Sequence, residues 1–314
     1  MKKITALILT AVLALTALCA CGKDENESTS DGKLNIIATI FPSYDFARQV
    51  GGDNADVTML LKPGTESHSY DPSPQDIIRI QNCDLFIYTG GESDEWVNEI
   101  LSSGSKQPKK VIALMDCVDT VREETVEGMQ SDEKEGETIE YDEHVWTSPV
   151  NAITISKKIT EALIELDPKN EKQYKENENK YSMELSALSD SFAKTVEEGK
   201  RKVIVFGDRF PFRYFADEYG LSYYAAFPGC SSETEPSAAT ISFLIDKVKE
   251  KNIPVVFTIE FSDGKVADTI CSETGAKKLS FHSCHNVTKE MFDSGITYVQ
   301  LMRENLKNLK EALD

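Results

Sequence analysis

Asp56-Val-Thr-Met-Leu-Leu61 runs straight into Lys62-Pro-Gly-Thr-Glu-Ser-His68-Ser-Tyr-Asp71-Pro-Ser-Pro74. The first six residues form a short apolar run and read as a strand. The second stretch opens on a Pro-Gly turn. At its far end Ser73 can cap a helix, Pro74 suits a first turn, and Asp76 completes a capping box. His68 is therefore held on a loop just past a strand, between a turn and a capped helix. The chain has only four histidines. His144 lies in Tyr141-Asp-Glu-His-Val-Trp146. His282 and His285 lie in Ser280-Phe-His-Ser-Cys-His-Asn286, just after another strand-like run. Four imidazoles on loops, two of them directly past strands, point to one metal site shared by distant parts of the chain.

Outward from this stretch, strands and helices alternate. Residues 34–40, 57–61, 84–88 and 111–114 read as strands, with helices over 42–50, 74–82 and 95–101 between them. Continuous apolar strands in this alternation predict a parallel sheet covered on both faces. The same order returns later, with strands over 202–207, 221–227, 253–259 and 277–281. Helices over 211–219, 236–251, 264–274 and 288–313 accompany them. Between the two halves, 152–166 is helical in period. Residues 169–199 then run without an internal Gly or Pro, roughly 45 Å of helix. The expected fold is α/β: two lobes, each a parallel sheet flanked by helices, joined by one long backbone helix. The lobes are 34–150 and 200–314, with linking helices over 151–199. Residues 117–143 carry eleven acidic and two basic residues and read as a mobile acidic loop beside His144.

The 314 residues carry a formal net charge of -19, which argues against a nucleic-acid partner. Residues 1–20 read as a signal peptide: Met1-Lys-Lys, then an apolar stretch from Ile4 to Leu18. Leu18-Cys-Ala-Cys21-Gly resembles a bacterial lipobox, which implies lipid on Cys21. An ordinary signal peptide is the alternative. Residues 21–33 then form a polar tether, and no later stretch is apolar enough to span a bilayer. The expected location is extracytoplasmic, anchored to the membrane by lipid. Beyond Cys19 and Cys21 the cysteines are Cys83, Cys117, Cys230, Cys271 and Cys284, an odd number. Cys230 and Cys284 are the first choice for a disulfide, against five free thiols.

In open α/β sheets ligands bind past the carboxyl ends of strands. His68 and His282 lie there, one in each half, so their site falls in the cleft between lobes. Three histidines and an oxygen ligand favour tetrahedral Zn²⁺, whereas carboxylate-rich sites suit Mn²⁺. The chain has no HExxH motif and no CxxC pair.

Four segments resemble the zinc/manganese solute-binding lipoproteins of ABC importers: residues 63–76, Glu143-His144-Val-Trp-Thr-Ser-Pro149, Gly229-Cys-Ser-Ser-Glu-Thr-Glu235 and Gly275-Ala-Lys-Lys-Leu-Ser-Phe-His282. The resemblance covers nearly everything after residue 33. It implies two lobes on a rigid helix, metal in the cleft, and His68, His144 and His282 as ligands. His282 falls where the family usually has an aspartate. One departure stands out: alignment on Phe212-Arg-Tyr214 puts Arg209 where the family places a His or Glu ligand, and a guanidinium cannot ligate. Asp208 is the expected substitute. His285, Glu260, Cys230 and Cys284 are the other candidates. Tyr70, Asp71, Asp142, Glu143 and Glu260 are expected around the ligands. Trp96 and Trp146 read as packing.

The expected function is capture of extracytoplasmic Zn²⁺ by a monomer and delivery to an ABC permease, without catalysis. A manganese or iron carrier is the alternative within the class. A secreted zinc hydrolase using Glu143 or Glu260 as base, or an adhesin, is the alternative outside it.

Overall fold

The structure, a computed structural model, describes residues 32–65, 70–103, 106–130, 141–231 and 235–314. The signal segment, Cys21 and His68 lie outside the described residues. No helix among those described is long and apolar enough to cross a membrane.

The first lobe is built from β1 (Leu34–Ala38), α1 (Phe41–Gly51), β2 (Ala55–Met59), α2 (Pro74–Asn82), β3 (Leu85–Tyr88), α3 (Glu95–Ser103) and β4 (Lys110–Ala113). The second uses β5 (Val203–Phe210), α6 (Arg213–Tyr219), β6 (Ser222–Pro228), α7 (Ala238–Glu250), β7 (Val255–Thr258), α8 (Lys265–Thr274) and β8 (Lys277–Ser280). The sheets run β2-β1-β3-β4 and β6-β5-β7-β8, and every pairing is parallel. Both sheets therefore reverse their strand order at the same place, between β1 and β3 and between β5 and β7. Crevices for ligands open there.

Helices α4 (Pro149–Leu166) and α5 (Glu171–Glu198) join the lobes. The 28 residues of α5 span ~42 Å. Tyr174, Glu178, Tyr181, Leu185, Leu188, Phe192 and Val196 are its buried positions. They recur every three or four residues, so one stripe faces inward along the whole length. This stripe belongs to a single apolar core. That core runs from Leu34 and Phe46 of the first lobe, through Trp146, to Phe206 and Phe281 of the second. Phe281 packs against Phe212, Phe257 and Phe215 at centroid separations of 4.9, 5.1 and 5.4 Å.

Three local readings differ from the sequence expectation. The closing helix is two helices, α9 (Lys289–Asp293) and α10 (Tyr298–Leu313). Gly295 takes φ 74° between them, and Thr297 caps α10 through the Gln300 N–H. Strand β5 runs past Gly207 to Phe210, so Asp208 and Arg209 sit within it at a break in register. Lastly, Cys230 and Cys284 are both free, as are Cys83, Cys117 and Cys271.

The acidic segment is no free excursion over its described part. Residues 121–130 lie along the second lobe. Glu123 Oε1 accepts the Cys230 N–H at 2.8 Å. Gln130 N donates to Ala226 O of β6 at 2.9 Å, and its side chain accepts from Ser237 N. Glu124 pairs with Arg213 at 3.2 Å. Residues 131–140 lie outside the described residues.

Helix α10 docks on α1 through Asp45. This buried carboxylate accepts from Arg48 Nη2 at 2.6 Å and from Tyr298 N, the first amide of α10, at 2.8 Å. An anion at a helix start is favourable, and Asp45 also accepts from Arg48 Nε and Gln49 Nε2, so removing it takes a partner from all four donors. Asp45→Ala should lower unfolding stability by ~3 kcal/mol, read as a shifted urea midpoint. A loss below about 0.5 kcal/mol, ordinary for a surface change, would show that α10 docks without it.

Candidate metal centre

The carboxyl ends of both sheets meet at one cleft. Its wall includes Thr65 after β2, Arg209 and Pro211 at the end of β5, and Glu260 after β7, with His144 and His285. A second cavity opens on the first lobe's side, lined by Thr39, Ile40, Tyr70, Asp94, Glu143 and His285. His285 borders both.

His144 is buried at the foot of α4. Its ring lies edge-on to His285, with centroids 5.5 Å apart and planes at 90°. Trp146 packs 5.4 Å from His144 and 5.0 Å from His285. Its indole N–H donates to Ser283 O at 2.8 Å, which fixes the loop before His285. His144 Nδ1 lies 3.1 Å from Asp142 Oδ1. A carboxylate on Nδ1 selects the tautomer that leaves Nε2 as the ligating atom. Burial opposes charge on this imidazole. Asp142 beside it, then Glu143 and Glu123, outweigh that and hold its pKa above the usual value.

Glu260 builds the other half. Its carboxylate accepts from Ser283 N at 2.7 Å, Ser283 Oγ at 2.5 Å and His285 N at 3.2 Å. Cys284 between them takes φ 65°, a strained region for a residue other than glycine. Three hydrogen bonds to a single carboxylate hold that turn and direct His285 into the cleft.

The structure thus brings His144 together with His285. His282 serves the loop instead. Its Nδ1 accepts from Cys284 N at 2.9 Å and lies 3.5 Å from Glu260 Oε2. Its own N–H and carbonyl are held by Asn305, and it does not line the cleft. Asp208 does not line it either. Its oxygens accept from Arg209 N at 2.9 Å and Ile259 N at 3.4 Å, and burial raises its pKa. Among the described residues no three His, Cys, Asp or Glu side chains form a group that could hold a metal. Burial, then nearby carboxylates, push the thiols of Cys230 and Cys284 well up, which disfavours thiolate ligands. Sequence reasoning took His282 as a ligand from the family resemblance and kept His285 among the candidates for the remaining one. The signal for His285 was its partner Glu260, 25 residues earlier.

The family model for ZnuA, zinc-uptake complex component A, periplasmic, matches residues 36–312. The zinc-binding lipoprotein AdcA of Streptococcus pneumoniae serotype 4 is 35% identical over the whole chain, which spans 62% of that relative's length. The high-affinity zinc uptake system protein ZnuA of Bacillus subtilis is 32% identical, over 99% of this chain and 98% of its own. The Zn(II)-bound ZnuA-like domain of Streptococcus pneumoniae AdcA superposes with a TM-score of 0.74 at 32% identity. That match covers 90% of this chain and all of the domain.

Beside the second cavity, Asp94 Oδ2 accepts from Thr89 N at 2.7 Å and Gly90 N at 3.2 Å. Burial still dominates and raises its pKa from 3.8 to about 6. The fold therefore favours the neutral acid. That stability is complete below the unfolded value and is lost as pH rises through about 6. Asp94→Asn keeps an accepting oxygen and removes the charge. Relative to the parent it should gain ~2–3 kcal/mol at pH 8 and little at pH 4, measured by urea unfolding. An equal effect at both would refute the burial argument.

Proposed function

The chain belongs to the ZnuA zinc-uptake family, and from that membership we propose that it captures Zn²⁺ outside the cytoplasm and delivers it to an ABC permease. The observation that carries this is the pair His144 and His285, edge-on at 5.5 Å in a cleft past the strand ends of both lobes. The third proposed ligand is His68. Thr65 lines the cleft and Tyr70 lines the neighbouring cavity. Three neutral imidazoles favour Zn²⁺ over Mn²⁺, which prefers oxygen.

The lipid anchor on Cys21 is part of the same reading, supported by Leu18-Cys-Ala-Cys21 and by the lipoprotein relative. Both halves of the cleft come from one chain, which fits a monomer. Binding without catalysis is supported by the two carboxylates suited to act as a base. Glu260 holds the His285 loop, and Glu143 Oε1 accepts the Ser93 N–H at 2.9 Å.

Zinc affinity measured by competition with a chromophoric chelator tests the ligand set. His68→Ala, His144→Ala and His285→Ala should each lose more than the roughly 10–100-fold typical of an outer partner. His282→Ala and Asp208→Ala should stay within that range. If His282→Ala costs as much as His285→Ala, the set expected from sequence (His68, His144, His282 and Asp208) is the better one. If the purified chain takes up no stoichiometric zinc, the carrier reading fails.

A further inference from the structure

The wall of the cleft carries a strained aromatic residue that has no atom to offer a metal. Phe261 lines the cleft beside Glu260, yet 43% of its surface stays exposed. The side chain therefore stands at the boundary between the cleft and solvent. An exposed phenylalanine alone would signify little. Its backbone sets it apart: φ is 60°, in the left-handed region that a bulky residue rarely enters. Among the described residues only Asn252 and Cys284 share that feature outside glycine. Asparagine tolerates it, and Cys284 belongs to the His285 turn that Glu260 holds. The remaining strain thus falls on the two turns around Glu260, both at the cleft. The turn that bears Phe261 is braced on either side. Glu260 is tied to Ser283 and His285. Beyond Phe261, Ser262 Oγ accepts from Gly264 N at 3.2 Å and Asp263 Oδ1 from Lys265 N at 3.0 Å. Phe261 belongs to none of the apolar clusters among the described residues, so core packing does not account for it. Glycine would take this φ without strain. Strain kept at a ligand cleft, on a ring that serves no core, points to function.

We propose that Phe261 is the gate of the cleft: its ring stands over part of the mouth and sets how fast the metal enters and leaves. This rests on the zinc-carrier reading and extends it to the kinetics of loading and release. A benzyl side chain offers a passing cation neither oxygen nor nitrogen. The ring has to swing aside before the ion passes in either direction. It does so by rotation about its own side-chain bonds, while the braced backbone stays in place. An exposed ring has room for this, and such turns are fast. The left-handed φ fixes the direction in which the side chain leaves the turn, so the strain is what keeps the ring at the mouth. Because the ring supplies no ligand, it raises the barrier to entry and exit alike. The equilibrium between bound and free metal is left almost untouched.

The test is stopped-flow kinetics of the full chain, with zinc uptake from a chromophoric indicator and zinc loss to excess chelator. Phe261→Ala should speed both steps about tenfold, the change that a barrier lower by about 1.4 kcal/mol gives, with Kd held within about threefold. Phe261→Tyr keeps the ring and should keep the parental rates, and Phe261→Leu should fall between. Thermal midpoints establish that each variant folds; if Phe261→Ala does not, Phe261→Leu carries the same comparison. Phe261→Gly removes the strain along with the ring and should melt above Phe261→Ala. A readout without zinc runs alongside. Carbethoxylation of His285 in the metal-free chain, followed by mass spectrometry, should be faster in Phe261→Ala than in the parent. Unchanged rates in Phe261→Ala and Phe261→Leu would overturn the proposal. So would a change confined to dissociation, which would make the ring part of the bound state rather than a gate. If the parent takes up no zinc, the carrier reading fails, and carbethoxylation of His285 alone then decides whether Phe261 closes the cleft.

Discussion

Each lobe holds the other lobe's loop. The segment that carries His285 follows the last strand of the second sheet, yet its backbone is fastened to the first lobe. Phe41 N donates to His285 O at 3.2 Å, Gly64 N to Val287 O at 2.8 Å, and the Asn286 amide clamps Lys62 O and Thr65 O. The segment that carries His144 leaves the first lobe, where Glu143 holds Ser93 N, yet it is also fastened to the second. Tyr214 O–H donates to Asp142 O at 2.7 Å, and Ser148 is bonded to Glu218. Tyr298 O–H donates to Trp146 O at 2.7 Å. The two imidazoles face one another because each is secured from the far side.

This crossing constrains motion. Pulling the lobes apart as rigid bodies would strip these hydrogen bonds, several of them buried, and each orphaned group costs about 1–3 kcal/mol. It would also split a core that runs unbroken from Phe46 through α5 to Phe281, and peel residues 121–130 from β6. The less costly motion is local. The His285 turn stores strain at Cys284, held by Glu260 and by the Trp146 indole on Ser283 O. Under the proposed ligand set, cargo leaves when a loop yields, with the long helix and its core staying in place.

The sequence made the fold plain wherever it depends on local rules. Apolar strands alternating with capped helices gave both sheets, and Ser73, Pro74 and Asp76 form the expected capping box. The long helix was visible as a run without breakers. What stayed hidden came from contacts across the chain. The break before α10 depends on Gly295 in a left-handed turn and on Asp45, some 250 residues away. The acidic segment looked solvated because its partners, Cys230, Ala226 and Arg213, lie in another lobe. Which of His282 and His285 borders the cleft could not be read from spacing: Glu260 accepts from Ser283 N and His285 N and lies 3.5 Å from His282 Nδ1, and of the two it is His285 that lines the cleft.

That carboxylate also bears on how such a site selects its ion. The cleft is not poor in acids: Glu123, Asp142, Glu143 and Glu260 all stand near the two imidazoles. Each has an oxygen bonded to a backbone amide or a ring nitrogen, Glu260 while it also lines the cleft. Their field still draws cations inward, and Asp142 makes the His144 imidazole a stronger donor by polarising it from behind. Under the proposed ligand set, an ion that prefers hard oxygen meets carboxylates that each already have an oxygen bonded, while a borderline ion meets ring nitrogens. Selection then rests on which donors the fold withholds as much as on those it presents. The withholding is done largely within each lobe: Glu260 holds Ser283 and His285, Glu143 holds Ser93, and Asp142 holds His144.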